Sequence, residues 1–162
     1  MGLKLKIVQI KPNPIGKDRS RKSIFPYQVV GEWVDIRNDS GGSVFISPVE
    51  LYHQAYDQSG KANTTLVTGF KGNLPAGQTM RVHSGKERQL SFEDQSGVNI
   101  HVFLGRDQYI WNNDKADRPA LLDTHEKTWI DWADYDPWPP EGAILVRGGN
   151  KLLPAVLRYG NL

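Results

Sequence analysis

The sequence predicts an all-β protein built as a sandwich or a barrel. Strand-like runs recur about every ten residues, turn signals separate them, and no segment keeps a helical period. Sixteen Gly and ten Pro supply many turns along the 162 residues. Five Trp and six Tyr are many for this length, so we expect aromatic side chains to form much of the core or of a surface.

The first predicted strand contains Leu3, Leu5 and Ile7, which alternate with lysines as in a half-buried strand. Two prolines and a glycine within residues 11–16 end it. In residues 31–42, apolar and polar positions alternate again before an Asn-Asp-Ser-Gly-Gly turn. Further strands are predicted at residues 44–46, 49–53, 80–82, 98–104, 109–111, 120–122 and 128–132. One helical turn is expected at residues 87–90, inside the longest polar stretch.

The character of the chain changes at residue 137, where a stiff Pro-Trp-Pro-Pro run begins. We therefore divide the chain into a main domain, residues 1–136, and a C-terminal extension, residues 137–162. The favoured interpretation is that the extension adds a strand to the sandwich and covers its core. The alternative is strand addition to a neighbouring molecule. The apolar residues proposed for partner binding are Trp138, Ile144, Val146, Leu153 and Val156.

Several segments carry a resemblance to a known family. They are KPNPIG (residues 11–16), GEWVDIRNDSG (31–41), LPAGQTMRVHSG (74–85), YIWNN (109–113) and ALLD (120–123). In this order and spacing they resemble the lamin tail domain, which occurs in nuclear lamins and in many bacterial proteins. The chain departs from the family pattern at residues 48–49, 116–117 and 125–126, where the family commonly has glycines. The resemblance implies an immunoglobulin-like β-sandwich and a non-catalytic module that contacts proteins, and in some lamins nucleic acid or chromatin.

Charge is unevenly distributed along the chain. Residues 1–24 carry a formal charge of +6 and residues 107–136 a charge of −5, although the whole chain carries only +2. Opposite patches suit polar contacts with a partner. The nucleic-acid candidates are Lys17, Arg19, Arg21 and Lys22, since Lys and Arg neutralise phosphates. A solvated loop is the favoured interpretation of this stretch, because no aromatic side chain interleaves with its charges.

No motif for catalysis or for a cofactor is present in the sequence. The chain has no cysteine, no phosphate-binding loop, no Gly-x-Ser-x-Gly and no His-Glu-x-x-His. We therefore expect neither an enzyme nor a cofactor. Three carboxylates at turns, Asp114, Asp117 and Asp134, are weak candidates for calcium, which takes oxygen ligands from loops. A solvated acidic edge that discourages strand pairing is favoured over the metal site.

The leading functional hypothesis is an interaction module that binds a protein partner or itself through the extension. The second is a nucleic-acid-binding accessory module that uses the basic stretch. The third is a carbohydrate-binding sandwich that uses exposed aromatic residues such as Trp138. Neither a leader peptide nor a run of membrane-spanning length is found in the sequence. If the chain is complete, we expect the protein in the cytoplasm. If a leader or a larger parent was removed, we expect an exported protein.

Overall fold

The computed structural model describes residues 3–17 and 26–155. The protein is mostly β, with 43% strand and 6% helix, and its sheets pack against each other. The strands are β1 (Leu5–Lys11), β2 (Trp33–Asn38), β3 (Val44–Phe45), β4 (Val49–Tyr56), β5 (Ala62–Gly69), β6 (Asn73–Leu74), β7 (Thr79–His83), β8 (Ile100–Phe103), β9 (Ala120–Asp123), β10 (Thr128–Trp132), β11 (Leu145–Gly148) and β12 (Lys151–Pro154). The helices are α1 (Pro26–Val30) and α2 (Phe92–Gln95). The predicted all-β sandwich is confirmed.

In the described part of the chain, the strands form two main sheets and one small one. The order is β12-β11-β1-β2-β7-β8 in the first sheet and β10-β9-β4-β5 in the second, and β3 pairs with β6. All pairs are antiparallel except β7 with β8. Alternating side chains from both main sheets meet in one core, which includes Ile7, Ile10, Val34, Ile36, Val49, Leu51, Val82 and Leu121.

The face of β2 that turns away from the core is also buried. Trp33 and Asp35 are fully buried there, because Arg81 and α2 cover them. The Arg81 guanidinium lies 3.6 Å from the centre of the Trp33 ring and makes two 2.8 Å bonds to the Asp35 carboxylate. It also donates to the backbone carbonyls of Glu93 and Asp94, which fixes the short helix on the sheet. A buried guanidinium, bonded to a carboxylate and to backbone carbonyls, therefore fixes this layer.

The C-terminal strands belong to the first sheet. β11 pairs with β1 through Gln9↔Val146 and Ile10↔Leu145, and β12 pairs with β11. Leu145 is 2% exposed and Leu152 is 1% exposed, so both complete the core that the main domain builds. At residues 145–154 the chain thus adds strands to its own sandwich.

Two predicted elements differ from the structure. No strand is found at residues 109–111, because the backbone N–H groups of Ile110 and Trp111 donate to the buried Glu32 carboxylate instead of to a neighbouring strand. The helical turn expected at residues 87–90 lies later, in α2. It begins there because Ser91 caps the helix, with its hydroxyl accepting from the Asp94 N–H.

Candidate binding surfaces

The residues proposed for partner binding lie along β11, β12 and the segment before them. Val146 and Leu153 are cross-strand neighbours, 43% and 49% exposed, and form a small apolar pair. Ile144 is half-buried. Trp138 is 70% exposed, and its backbone N–H donates to the Asn113 carbonyl, away from the β11–β12 pairing. The fifth candidate, Val156, lies outside the described residues.

The outer edge of β12 is largely occupied within the chain. The Leu152 N–H donates to the Asp134 carbonyl at 2.8 Å, and the Asp134 N–H donates to the Asn150 carbonyl at 2.9 Å. Pro154, at the end of the strand, has no N–H to offer. Little of this edge is therefore open to a strand from another molecule.

The basic stretch has one member among the described residues. The Lys17 ammonium lies 2.8 Å from the Glu32 carboxylate and also donates to the carbonyls of Pro12 and Trp111. Its side chain is only 9% exposed, and that of Glu32 is fully buried. Lys17 therefore links three segments that are distant in sequence, and all three N–H groups of its ammonium have a partner. Arg19, Arg21 and Lys22 lie outside the described residues.

The three calcium candidates differ in their exposure and in their hydrogen-bond partners. Asp117 is buried and accepts from the N–H groups of Gln54 and Asn112 and from the His53 ring. Asp134 forms a bidentate ion pair with Arg118, whereas Asp114 is exposed to solvent. In the described ranges, no group of three His, Cys, Asp or Glu side chains is arranged to hold a metal ion.

Two stacked histidines, His83 and His101, lie on the neighbouring strands β7 and β8, beside α1. The His83 Nδ1 bonds the Val30 carbonyl at 2.8 Å, and its Nε2 lies 2.8 Å from the His101 Nδ1. His83 is fully buried, and this burial lowers its pKa to about 4. A neutral His83 therefore acts as a fixed hydrogen-bonding residue of the core.

The edge of β5 is exposed along most of its length. On β4, the backbone N–H and carbonyl of Gln54 bond Asp117 and Asn112 on the β9 side, and so point away from β5. In an antiparallel pair the residue opposite such a position also points its backbone groups outward, and every second residue of the strand does the same. These outward groups belong to Thr64 and Leu66, and no described residue hydrogen-bonds them. We call the outward backbone of residues 62–66 the β5 edge. It ends at a bulge near Val67, whose carbonyl accepts from Arg106.

The outer face of the second sheet carries a depression that we call the aromatic cleft. Its volume is about 160 Å³, and it is lined by Gln54, Thr64, Arg118, Ala120, Trp129 and Trp132. Trp129 is 50% exposed and contacts Tyr52 edge-on, with 5.4 Å between the ring centroids. The Arg118 guanidinium lies 4.5 Å from the centre of the Trp132 ring. The small side chain of Ala120 forms the floor between the two indoles.

A β-bulge places both indoles of the cleft on one face. The register between β10 and β9 shifts between Trp129 and Asp131, so Ile130 is an extra residue. Simple alternation would put Trp129 and Trp132 on opposite faces, because they are three residues apart. The sequence signal that could have indicated the cleft is the pair Trp129 and Trp132, eight and five residues before Pro137, together with Arg118, which precedes β9.

A comparison with models of known protein families finds no match, and neither does a comparison with curated protein sequences. Over the described ranges, no helix is long and apolar enough to span a bilayer.

Proposed function

We propose that the protein is a non-catalytic interaction module, of the lamin-tail-like immunoglobulin kind, that binds an extended protein segment from a partner or from a second copy of itself. The observation that carries the proposal is the β5 edge. An unpaired row of backbone groups is a template for another strand, and strand addition is a common way in which β proteins bind peptides.

The composition of β5 supports this function. Its sequence, ANTTLVTG, contains no charged residue and no proline, which are the usual features that protect a free edge. Leu66 is 48% exposed beside the outward backbone groups. Between residues 62 and 66 the pairing register with β4 is unbroken, because the bulge lies beyond them. A second extended strand could therefore pair here without displacing any backbone bond of the described residues.

The proposal moves the predicted contact from the C-terminal extension to the β5 edge. The edge of β12 bonds Asp134 and ends in Pro154, so it offers fewer backbone groups than β5. The nucleic-acid alternative loses the Lys17 side chain, which bonds Glu32. It then depends on Arg19, Arg21 and Lys22, and no described residue favours it.

Two matched leucines test the proposal. Leu66→Lys places a charge beside the β5 edge, and Leu153→Lys places the same charge on β12 at the same degree of exposure, 48% against 49%. Self-association is measured by sedimentation, and partner binding by quantitative capture from source-cell lysate with wild type and both variants. We expect Leu66→Lys to lose the association and Leu153→Lys to keep it. Loss with Leu153→Lys alone would return the contact to the extension, and an unchanged pattern in both variants would refute strand pairing at either edge.

A further inference from the structure

The aromatic cleft is a second surface, and its chemistry differs from that of the β5 edge. We infer that it is a binding site for a neutral oligosaccharide chain, with Trp129 and Trp132 stacking on sugar rings and Gln54, Thr64 and Arg118 bonding their hydroxyls. This inference goes beyond strand pairing, and either can fail without the other.

Stacking surface is the first requirement for a sugar, and the cleft supplies it. A pyranose ring carries C–H groups on its faces and hydroxyls around its rim, so its face packs on an indole while its rim stays polar. Aromatic rings attract such C–H groups because the ring face is electron-rich. Trp129 keeps half of its surface in solvent, and its ring contacts Tyr52 edge-on. About half of the Trp129 side chain is therefore accessible to a ligand.

Unused hydrogen-bonding groups are the second requirement. Gln54 bonds its neighbours through its backbone alone, so its side-chain amide has no partner among residues 3–17 and 26–155. Within those residues the Thr64 hydroxyl is likewise unbonded, and Arg118 uses Nε and Nη2 for Asp134 while Nη1 is left over. An amide, a hydroxyl and two N–H groups of Nη1 supply donors and acceptors of both kinds, as sugar hydroxyls need.

Charge decides in favour of a neutral ligand. The only cation lining the cleft in the described part of the chain is Arg118, and Asp134 already neutralises it through two bonds of 2.5 and 3.2 Å. A nucleic-acid strand stacks on aromatic rings too, but its phosphates require unpaired Lys or Arg along the groove. An acidic polysaccharide has the same requirement. An uncharged ligand with apolar faces and a polar rim fits the lining.

The shape of the cleft indicates a chain instead of a single buried sugar. Its volume of about 160 Å³ would otherwise hold on the order of ten water molecules, less than the typical pocket for a small molecule. The cleft opens on the outer face of a four-stranded sheet. A linear ligand can therefore cross it, with one ring over the Ala120 floor and its neighbours continuing along the sheet.

Calorimetric titration of the full chain with cellohexaose, maltohexaose, mannohexaose and chitohexaose tests this site. Polygalacturonate and an eight-nucleotide thymidine strand serve as charged probes. The matched control for the loss of an indole is Trp138→Ala, since Trp138 is 70% exposed and does not line the cleft. Melting temperatures of all variants confirm that they fold.

We expect at least one neutral hexasaccharide to bind with a Kd between micromolar and millimolar values. Trp129→Ala should weaken that binding at least tenfold and Gln54→Leu at least threefold, whereas Trp138→Ala should change it less than twofold. The inference is overturned if no neutral probe binds at its solubility limit, or if a charged probe binds more tightly than every neutral one. Binding that Trp129→Ala leaves intact, or that Trp138→Ala removes, would also overturn it by placing the sugar elsewhere.

Discussion

Replacement of Lys17 by methionine tests whether the basic stretch is partly a structural element. In the native protein the Lys17 ammonium bonds Glu32, Pro12 and Trp111, and the Glu32 carboxylate is fully buried. Methionine fills a similar volume but removes the positive charge. Glu32 would keep its bonds from Ser84 and Ile110 but would lose its counter-charge in the protein interior.

The expected cost follows from this burial. Removing one partner of a buried ion pair destabilises a protein by about 3–5 kcal/mol, because the remaining charge stays buried without compensation. The double variant Lys17→Met/Glu32→Gln has no uncompensated charge, so it should recover on the order of 2 kcal/mol of that loss. Lys86→Met is the control, because Lys86 pairs with Asp107 at 3.4 Å with both side chains mostly exposed. Its cost should stay below about 1 kcal/mol.

Urea unfolding followed by tryptophan fluorescence measures all four proteins. An unchanged m-value would show that the variants expose the same surface on unfolding, so that midpoints report stability alone. The reasoning is refuted if Lys17→Met costs no more than Lys86→Met. It is also refuted if the double variant is no more stable than Lys17→Met, because removing the buried Glu32 charge would then recover nothing.

Three further predictions concern the core and the acidic residues. Leu152→Ala should cost about 3 kcal/mol and Leu153→Ala under about 1 kcal/mol in urea unfolding, because only Leu152 is buried; equal costs would contradict the place of β12 in the core. Burial lowers the pKa of His83 from 6.5 to about 4, so between pH 7 and pH 4 the unfolded state binds a proton before the folded state does. Over this range the free energy of unfolding of wild type should fall by about 3 kcal/mol more than that of His83→Phe, and parallel pH profiles would refute this. Millimolar Ca²⁺ should leave the melting temperature unchanged, because N–H donors already saturate Asp117; a rise of several degrees would show a calcium site.

Much of the fold could be predicted because most strands are half-buried. Alternation identified β1 and β2, and the Gly and Pro turns separated the strands that follow. β5 was missed because it faces solvent along most of its length and shows no apolar alternation. Its enrichment in Thr and Val, which favour strands, was the remaining signal. The strand that carries the proposed function is thus one of the hardest to recognise from the sequence.

The candidate surfaces were harder to predict than the fold. Lys17 was grouped with exposed basic residues, since its partner Glu32 is distant in sequence and only folding brings the two together. Trp129 and Trp132 were assigned to a strand, but the bulge that aligns them depends on pairing with β9. Trp138 was chosen as the exposed aromatic residue and is exposed, yet it does not line the aromatic cleft. Local pattern predicts burial well, whereas it does not predict which side chains meet.

Amide hydrogen exchange at single residues tests the strand-pairing proposal most directly. The isolated chain should exchange the Thr64 and Leu66 amides quickly and the Thr65 amide slowly, since Thr65 lies opposite His53 in the β4 pairing. At a concentration where the protein self-associates, or with the captured partner bound, the account predicts that Thr64 and Leu66 become protected while Thr65 does not change. Association that leaves the Thr64 and Leu66 amides exchanging as fast as in the isolated chain would contradict it.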